Sequence, residues 1–313
     1  MSAQVVTADQ EWVDGVPRIP VGDWISDGFD WFRDHLGDFF DSLADVIESS
    51  VDGLTNLLVA PAPLLLAAVM ALIAWLLKDW KLGIGSFLGL AAVIGMDQWD
   101  NAMATLSLVL FATLVALVIG VPLGILAARS DRFSRAIRPV MDLMQTMPAF
   151  VWLVPVVTLF SIGAAPALVA TVIFALPPGV RLTELGIRQV DAEVVEAGHA
   201  FGATPRQILG EVQLPLALPT VMAGVNQVIM LALSMAVIAG LVGGGGLGSA
   251  VTTSISRLDV GLGFEAGLSV VVLAIYLDRV TAAAGQRERR PGSVRALLQR
   301  RRDAVPEKEG ANA

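Results

Sequence analysis

The chain has 313 residues, 55% of them hydrophobic and only 16% charged, against about 25% charged in ordinary soluble domains. It carries no cysteine and two histidines, His35 and His199, far apart in sequence. A disulfide framework, thiol chemistry and a histidine-based metal site are thereby excluded. The formal net charge of -8 is unevenly spread: residues 1–60 hold twelve acidic and two basic side chains, whereas Arg279 to Arg302 is dominated by arginine. Such an asymmetry is a topological signal of a membrane protein rather than a mark of nucleic-acid binding.

The first sixty residues lack the basic start and early apolar core of a signal peptide. From Ile25, the residues Phe29, Phe32, Leu36, Phe39, Leu43 and Ile47 recur three or four apart, and Asp30, Asp34, Asp38, Asp41 and Asp45 occupy the other face. This pattern predicts an amphipathic helix lying along a membrane surface or packed on a bundle. Apolar stretches follow. A bilayer core about 30 Å thick needs about 20 apolar residues per helix, and spans are expected near 61–77, 82–96, 102–128, 143–161, 165–180, 217–241 and 260–277. The second is short and glycine-containing.

No Asp, Glu, Lys or Arg lies between Asp142 and Arg181, and none between Glu211 and Arg257. Between these apolar stretches sits a polar island, Arg181 to Pro215. Asp191 suits an N-cap, with Glu193 and Glu196 in the turns where a helix N-terminus favours negative charge. Val194, Ala197 and Phe201 share one face, and Gly202 is placed to end the helix in a left-handed conformation. Thr204-Pro205-Arg206-Gln207 restarts a helix with a capping box and proline in the first turn. Ile208, Leu209 and Val212 give a second apolar face, and Leu214-Pro215 is expected to end the segment. The result is two short amphipathic helices meeting at a glycine corner, with an apolar face that needs a partner.

The pattern Glu196-Ala197-Gly198, three residues, Gly202, nine residues, Val212, one residue, Leu214-Pro215 resembles the EAA loop of ABC-importer permeases. Gly198 stands where the family usually has alanine and Val212 where it usually has isoleucine; the spacing is unchanged. The resemblance extends through Leu114–Ser130, Met144–Pro155, Phe174–Thr183, Leu218–Gly243 and Arg257–Thr281. The phrase MAGVNQVIMLALSMAVIA in particular is similar to permeases of glycine betaine/proline betaine importers. It implies an all-α integral membrane fold of the type I importer kind, with about seven transmembrane helices. It also implies a coupling loop, 191–215, that docks on a cytoplasmic ATPase subunit, a permease homodimer, and an external substrate-binding protein supplied as a separate chain.

Gly243-Gly244-Gly245-Gly246-Leu247-Gly248 lacks the lysine of a phosphate-binding loop. The chain is therefore expected to be no enzyme and to carry no catalytic residue, metal or cofactor, with ATP bound by the partner. The glycine run reads as a flexible outer loop or a break between helical segments. Gln145, Thr146, Asn226, Gln227 and Ser234 are polar residues within apolar spans. They are candidates either for a translocation lane or for interhelical hydrogen bonds. Pro148, Pro155, Pro177 and Pro178 are placed to break helices, and Glu265 is the sole acidic residue inside an expected span.

Arginine clusters at 129–138, at 181–206 and in the tail place those segments in the cytoplasm. Seven spans then put the N-terminus outside the cell membrane. The expected organisation is an extracytoplasmic segment 1–60, a permease domain 61–281 and a basic cytoplasmic tail 282–313. Other compatible solutes such as choline, carnitine or proline fit the same reading. An ion-gradient secondary transporter is the rival of a different class, and it leaves the polar island unexplained.

Overall fold

The computed structural model describes residues 19–285, together with the backbone of a two-residue antiparallel pair, β1 (Trp12–Val13) and β2 (Val16–Pro17). The arginine-rich part of the expected tail, Arg287 to Arg302, lies outside the described residues. From residue 21 to residue 285 everything is helix or short connection. The order is α1 (Val21–Val59), α2 (Pro63–Leu77), α3 (Trp80–Gly95), α4 (Trp99–Arg129), α5 (Asp131–Thr146), α6 (Leu153–Phe160) and α7 (Ala164–Arg188). Then come α8 (Ala192–Ala200), α9 (Pro205–Gln207), α10 (Leu214–Ala239), α11 (Gly246–Arg257) and α12 (Val260–Gly285).

Three helices form the centre. α7 is sandwiched between α4 and α10, and all three are lined by small residues that let backbones approach closely, as helices in lipid require. A Cβ built on Gly124 of α4 would stand 2.6 Å from Thr183 Cβ of α7; one on Gly224 of α10 would stand 2.9 Å from Leu182 Cβ of α7. Ala112, Ala116, Ala167, Ala170, Ala175, Ala232 and Ala236 are buried in the same layer. α12 closes the bundle beside α10, and Tyr276 of α12 donates its hydroxyl to Met70 O of α2 at 3.1 Å.

The structure does not confirm the expected count of about seven spans. Among the described residues, four helices are long and apolar enough to cross a bilayer: Trp99–Arg129, Ala164–Arg188, Pro205–Val242 and Val260–Gly285. Two bent pairs, Val21–Val59 with Pro63–Leu77 (97°) and Asp131–Thr146 with Ala149–Phe160 (105°), raise the total to six at most. The expected spans 61–77 and 82–96 become α2 and α3, of 15 and 16 residues. At 1.5 Å per residue each is about 23 Å long, short of the ~30 Å core. They form a hairpin in which Gly83 admits Trp75: a Cβ there would lie 2.8 Å from Trp75 Cβ. The expected span 143–161 is broken at Met147-Pro148, where proline holds the preceding residue extended and prevents the helix from running on. Pro177 and Pro178, by contrast, do not break α7, which is buried against its neighbours around both of them.

The amphipathic N-terminal stripe is realised as α1, 39 residues long. Its second half packs on α4 and α6: Ile47 and Val51 are buried, Ser107 Oγ donates to Val51 O at 2.9 Å, and Phe40 meets Phe160 edge-on at 5.3 Å. Ile25, Phe32, Leu36 and Phe39 face outward from this chain. The glycine run is the break between α10 and α11, and it is tightly held. A Cβ on Gly240 would be 2.1 Å from the carbonyl carbon of Gly248, and Leu247 N donates to Thr105 Oγ1 of α4 at 2.8 Å.

Candidate coupling surface

The polar island begins where α7 leaves the apolar bundle. Two residues, Gln189 and Val190, separate Arg188 at its end from Asp191. Asp191 caps α8, its carboxylate accepting from Glu193 N at 2.9 Å. The helix ends in a Schellman arrangement: Ala203 N donates to Gly198 O at 3.1 Å and Gly202 N to His199 O at 2.9 Å. That pattern needs a left-handed residue, and Gly202 supplies it with φ +79°.

The next helix starts on a complete capping box. Thr204 Oγ1 accepts from Gln207 N, while Gln207 Oε1 accepts from Thr204 N at 2.9 Å. Ile208 turns back under α8 and is only 3% exposed. Gly198 packs on it; an added Cβ would meet Ile208 Cγ1 at 3.5 Å, an ordinary contact. The alanine usual at that place would therefore fit.

Folding the second helix under the first leaves the other apolar face outward. Phe201 is 92% exposed, Val194 is 42% exposed, and Glu196 and Ala197 are exposed as well. Phe201 projects from the corner with none of the described residues covering it.

One sequence expectation fails here. Leu214-Pro215 does not end the segment. Residues 208–213 form π-helical turns that join α9 to α10, so the chain runs as one helical rod from Pro205 to Val242. A proline inside a helix crowds the carbonyl four residues back, which for Pro215 is Glu211. The wider π turns directly before Pro215 give that carbonyl room. Val212, Leu214 and Pro215 are all half-buried in this joint.

The candidate lane residues are not gathered by the hydrogen bonding. Gln145 and Thr146 are exposed at the end of α5, just before the 105° corner. Gln227 and Ser234 are exposed on α10, and Ser234 Oγ donates within its own helix to Met230 O at 3.0 Å. Asn226 is half-buried and ties α10 to α12, its Nδ2 donating to Asp278 Oδ1 at 2.9 Å. Its own Oδ1 is buried with no partner. Glu265 is exposed, its backbone O accepting from Ser269 Oγ. Asp278 lies one residue past the expected end of the last span, which is why the sequence reading passed over it.

A second omission is larger. Glu184 of α7 is 8% exposed, and a polar cluster gathers on it from α5 and from the end of α7 itself. Ser134 Oγ donates to Glu184 Oε1 at 2.7 Å, Arg188 Nε stands 2.9 Å from the same oxygen, and Arg138 Nη2 3.8 Å from it. Arg188 also reaches Asp131 at 2.7 Å and donates to Ala127 O of α4 at 2.8 Å. Arg181 pairs with Asp142 at the other end of α5. The signal was present as matching spacings, 131–134–138–142 against 188–184–181 in antiparallel order.

An all-helical bundle of membrane-length apolar helices, interrupted by a capped polar corner, defines a membrane component of a transport system. The family model described as "Binding-protein-dependent transport system inner membrane component" matches residues 120–290, and the chain belongs to that family. It is similar to the glycine betaine/proline betaine transport system permease protein ProW of Escherichia coli (strain K12), with 50% identity over 278 residues, 88% of this chain and 78% of that protein. It is also similar to the glycine betaine/carnitine transport permease protein GbuB of Listeria monocytogenes serotype 1/2a (strain 10403S), with 54% identity over 206 residues, 66% of this chain and 73% of that one. Among solved structures, the fold matches a chain of the inward-facing MetNI methionine ABC transporter with a TM-score of 0.56 and 23% identity, over 61% of this chain and 96% of that chain.

Proposed function

We propose that this chain is the membrane-spanning permease subunit of an ATP-driven importer for glycine betaine, proline betaine and related small zwitterions. The observation that carries the reading is the corner at Gly202, which presents Phe201, Val194 and Ala197 outside the bundle on a rigidly capped scaffold. A surface of that kind suits a cleft on a cytoplasmic ATPase, and the residues Glu196, Ala197, Gly198, Gly202, Val212, Leu214 and Pro215 are assigned to it. The chain works as a homodimer with two ATPase subunits and an external binding protein. Closure of the ATPases on ATP moves the corner and switches the lane from inward- to outward-facing.

The substrate assignment rests on the relatives named above, and the nearly charge-free spans are compatible with a solute carrying one positive and one negative group. Gln145, Thr146, Asn226, Gln227 and Ser234 are assigned to the lane. The arginine-rich 129–138 segment, the coupling loop 191–215 and the tail 282–313 lie in the cytoplasm. With seven spans, the N-terminal segment 1–60 is assigned to the outer side.

The test is uptake of labelled glycine betaine into proteoliposomes holding this chain, its ATPase and its binding protein. ATP-dependent accumulation is expected. Uptake with no ATPase present would replace this reading by ion-gradient transport.

A further inference from the structure

α7 is held to its neighbours in two different ways. Against α4 and α10 it is knitted backbone to backbone through Gly124, Gly186 and Gly224; Cβ atoms there would meet neighbouring atoms at 2.6, 3.1 and 2.9 Å. Such packing leaves no room for independent movement, so α4, α7 and α10 behave as one body at this level. Against α5 the tie is made largely of charge: Asp131 to Arg188, Ser134 and Arg138 to Glu184, Asp142 to Arg181. These contacts run the whole length of α5, which Met141 and Met144 also bury against the bundle.

Glu184 is the only charged member of this set that is buried, and its partner Ser134 is buried with it. A buried carboxylate is costly to desolvate, and well-packed apolar residues often replace buried ion pairs without loss of stability. The best-attested use of such a group is to fix the register of one element against another. Here the two elements have distinct ends. α7 passes within two residues into the capped coupling corner at Asp191, and α5 ends at the 105° bend that carries Gln145 and Thr146.

Resting on the transport reading above, we propose that Glu184 is a positioning residue: it locks α5 to α7 so that displacement of the coupling corner is delivered to the Met147-Pro148 bend. The clamp is a charge linkage between the energy-receiving end of α7 and the solute-facing end of α5. Without it, the corner still docks and the ATPase still turns over, but the bend no longer follows.

The experiment compares the wild-type complex with Glu184→Gln in proteoliposomes, measuring both ATP hydrolysis stimulated by solute-loaded binding protein and solute taken up. Glutamine keeps the volume and a hydrogen-bonding oxygen for Ser134 while removing the charge. Hydrolysis within about twofold of wild type and a drop of tenfold or more in solute per ATP are expected. An unchanged ratio, or hydrolysis and uptake falling in parallel, overturns the proposal, because a merely structural defect lowers both together. The exposed pair gives an independent arm if the glutamine variant does not assemble. Arg181→Asp and Asp142→Arg singly lower the ratio, and the double exchange restores it; failure of the double to restore overturns the clamp. Wild-type vesicles keep the two readings apart. No ATP-driven uptake by wild type refutes the transport function, whereas wild-type uptake with an intact ratio in Glu184→Gln refutes the clamp alone.

Discussion

Gly202 offers a substitution series in which backbone and docking effects separate. Its φ is +79°, and among the described residues a Cβ added there meets no atom within 4 Å beyond its two chain neighbours. Steric conflict inside the chain therefore contributes nothing, and the whole intrachain cost is conformational. An L-residue in the left-handed region costs about 1–2 kcal/mol, and asparagine and aspartate tolerate it best. Gly202→Ala thus lowers the population of the corner by roughly 5- to 30-fold relative to its unravelled form, the factor that 1–2 kcal/mol represents. Gly202→Asn costs less. Gly202→Asp has similar backbone tolerance but sets a negative charge at a helix C-terminus, about 0.3–1 kcal/mol unfavourable, and on the docking surface itself. The assay is affinity of the nanodisc-embedded permease for its ATPase, with uptake measured in parallel. The expected order of affinity is Gly, Asn, Ala, Asp, with Asp abolishing coupling while membrane insertion stays intact. If Asn is as damaging as Ala, the left-handed cap is not what matters. Normal ATP-driven uptake by the Asp variant would refute the docking assignment.

The remaining predictions concern the same surface and the helix core. The chain has no cysteine, so Phe201→Cys should label readily with a membrane-impermeant maleimide applied from the cytoplasmic face, and bound ATPase should block the reaction. Labelling only from the outer face would invert the topology. Ile208→Ala removes the residue on which α8 rests and should cost the corner about 2–3 kcal/mol, within the range for buried Ile to Ala; faster proteolysis within 191–215 is the readout. Gly124→Leu must push α4 and α7 apart, since even a Cβ would lie 2.6 Å from Thr183 Cβ and Val180 O; reduced thermal stability in detergent is expected. Gly198→Ala, whose methyl would meet Ile208 at ordinary contact distance, should be neutral or stabilising by up to ~1 kcal/mol from helix propensity.

Features set by short stretches of sequence were legible before the structure. Asp191, Gly202 and the Thr204–Gln207 box act on backbone groups no more than five residues away, so their types and spacing foretell their geometry. The long spans were legible because hydropathy needs no partner. The failures share a different cause. The passage of α7 through Pro177 and Pro178 and the continuity of helix across Leu214-Pro215 both depend on what packs alongside. The Glu184 cluster joins residues 50 positions apart, and charges in a nominally cytoplasmic island look solvated until a second helix is laid against them. The lane residues illustrate the same limit: Asn226 is a polar residue in a span by sequence, and only the fold supplies Asp278 as its partner.

The π-helical joint at Ile208–Gln213 has a further consequence. An α-helix advances about 100° per residue, and π turns hold more residues per turn than α-helical ones. Six residues of π turn therefore advance through nearly the same angle as five of α-helix, so the joint takes up one residue more than an α-helix would while the docking corner keeps its aim about the rod axis. Deleting one residue between 208 and 213 would let the joint relax to α-helix with Phe201 facing much as before and every residue from 214 onward keeping its neighbours. The joint is thus a place where the coupling arm can lose a residue without rebuilding the membrane core.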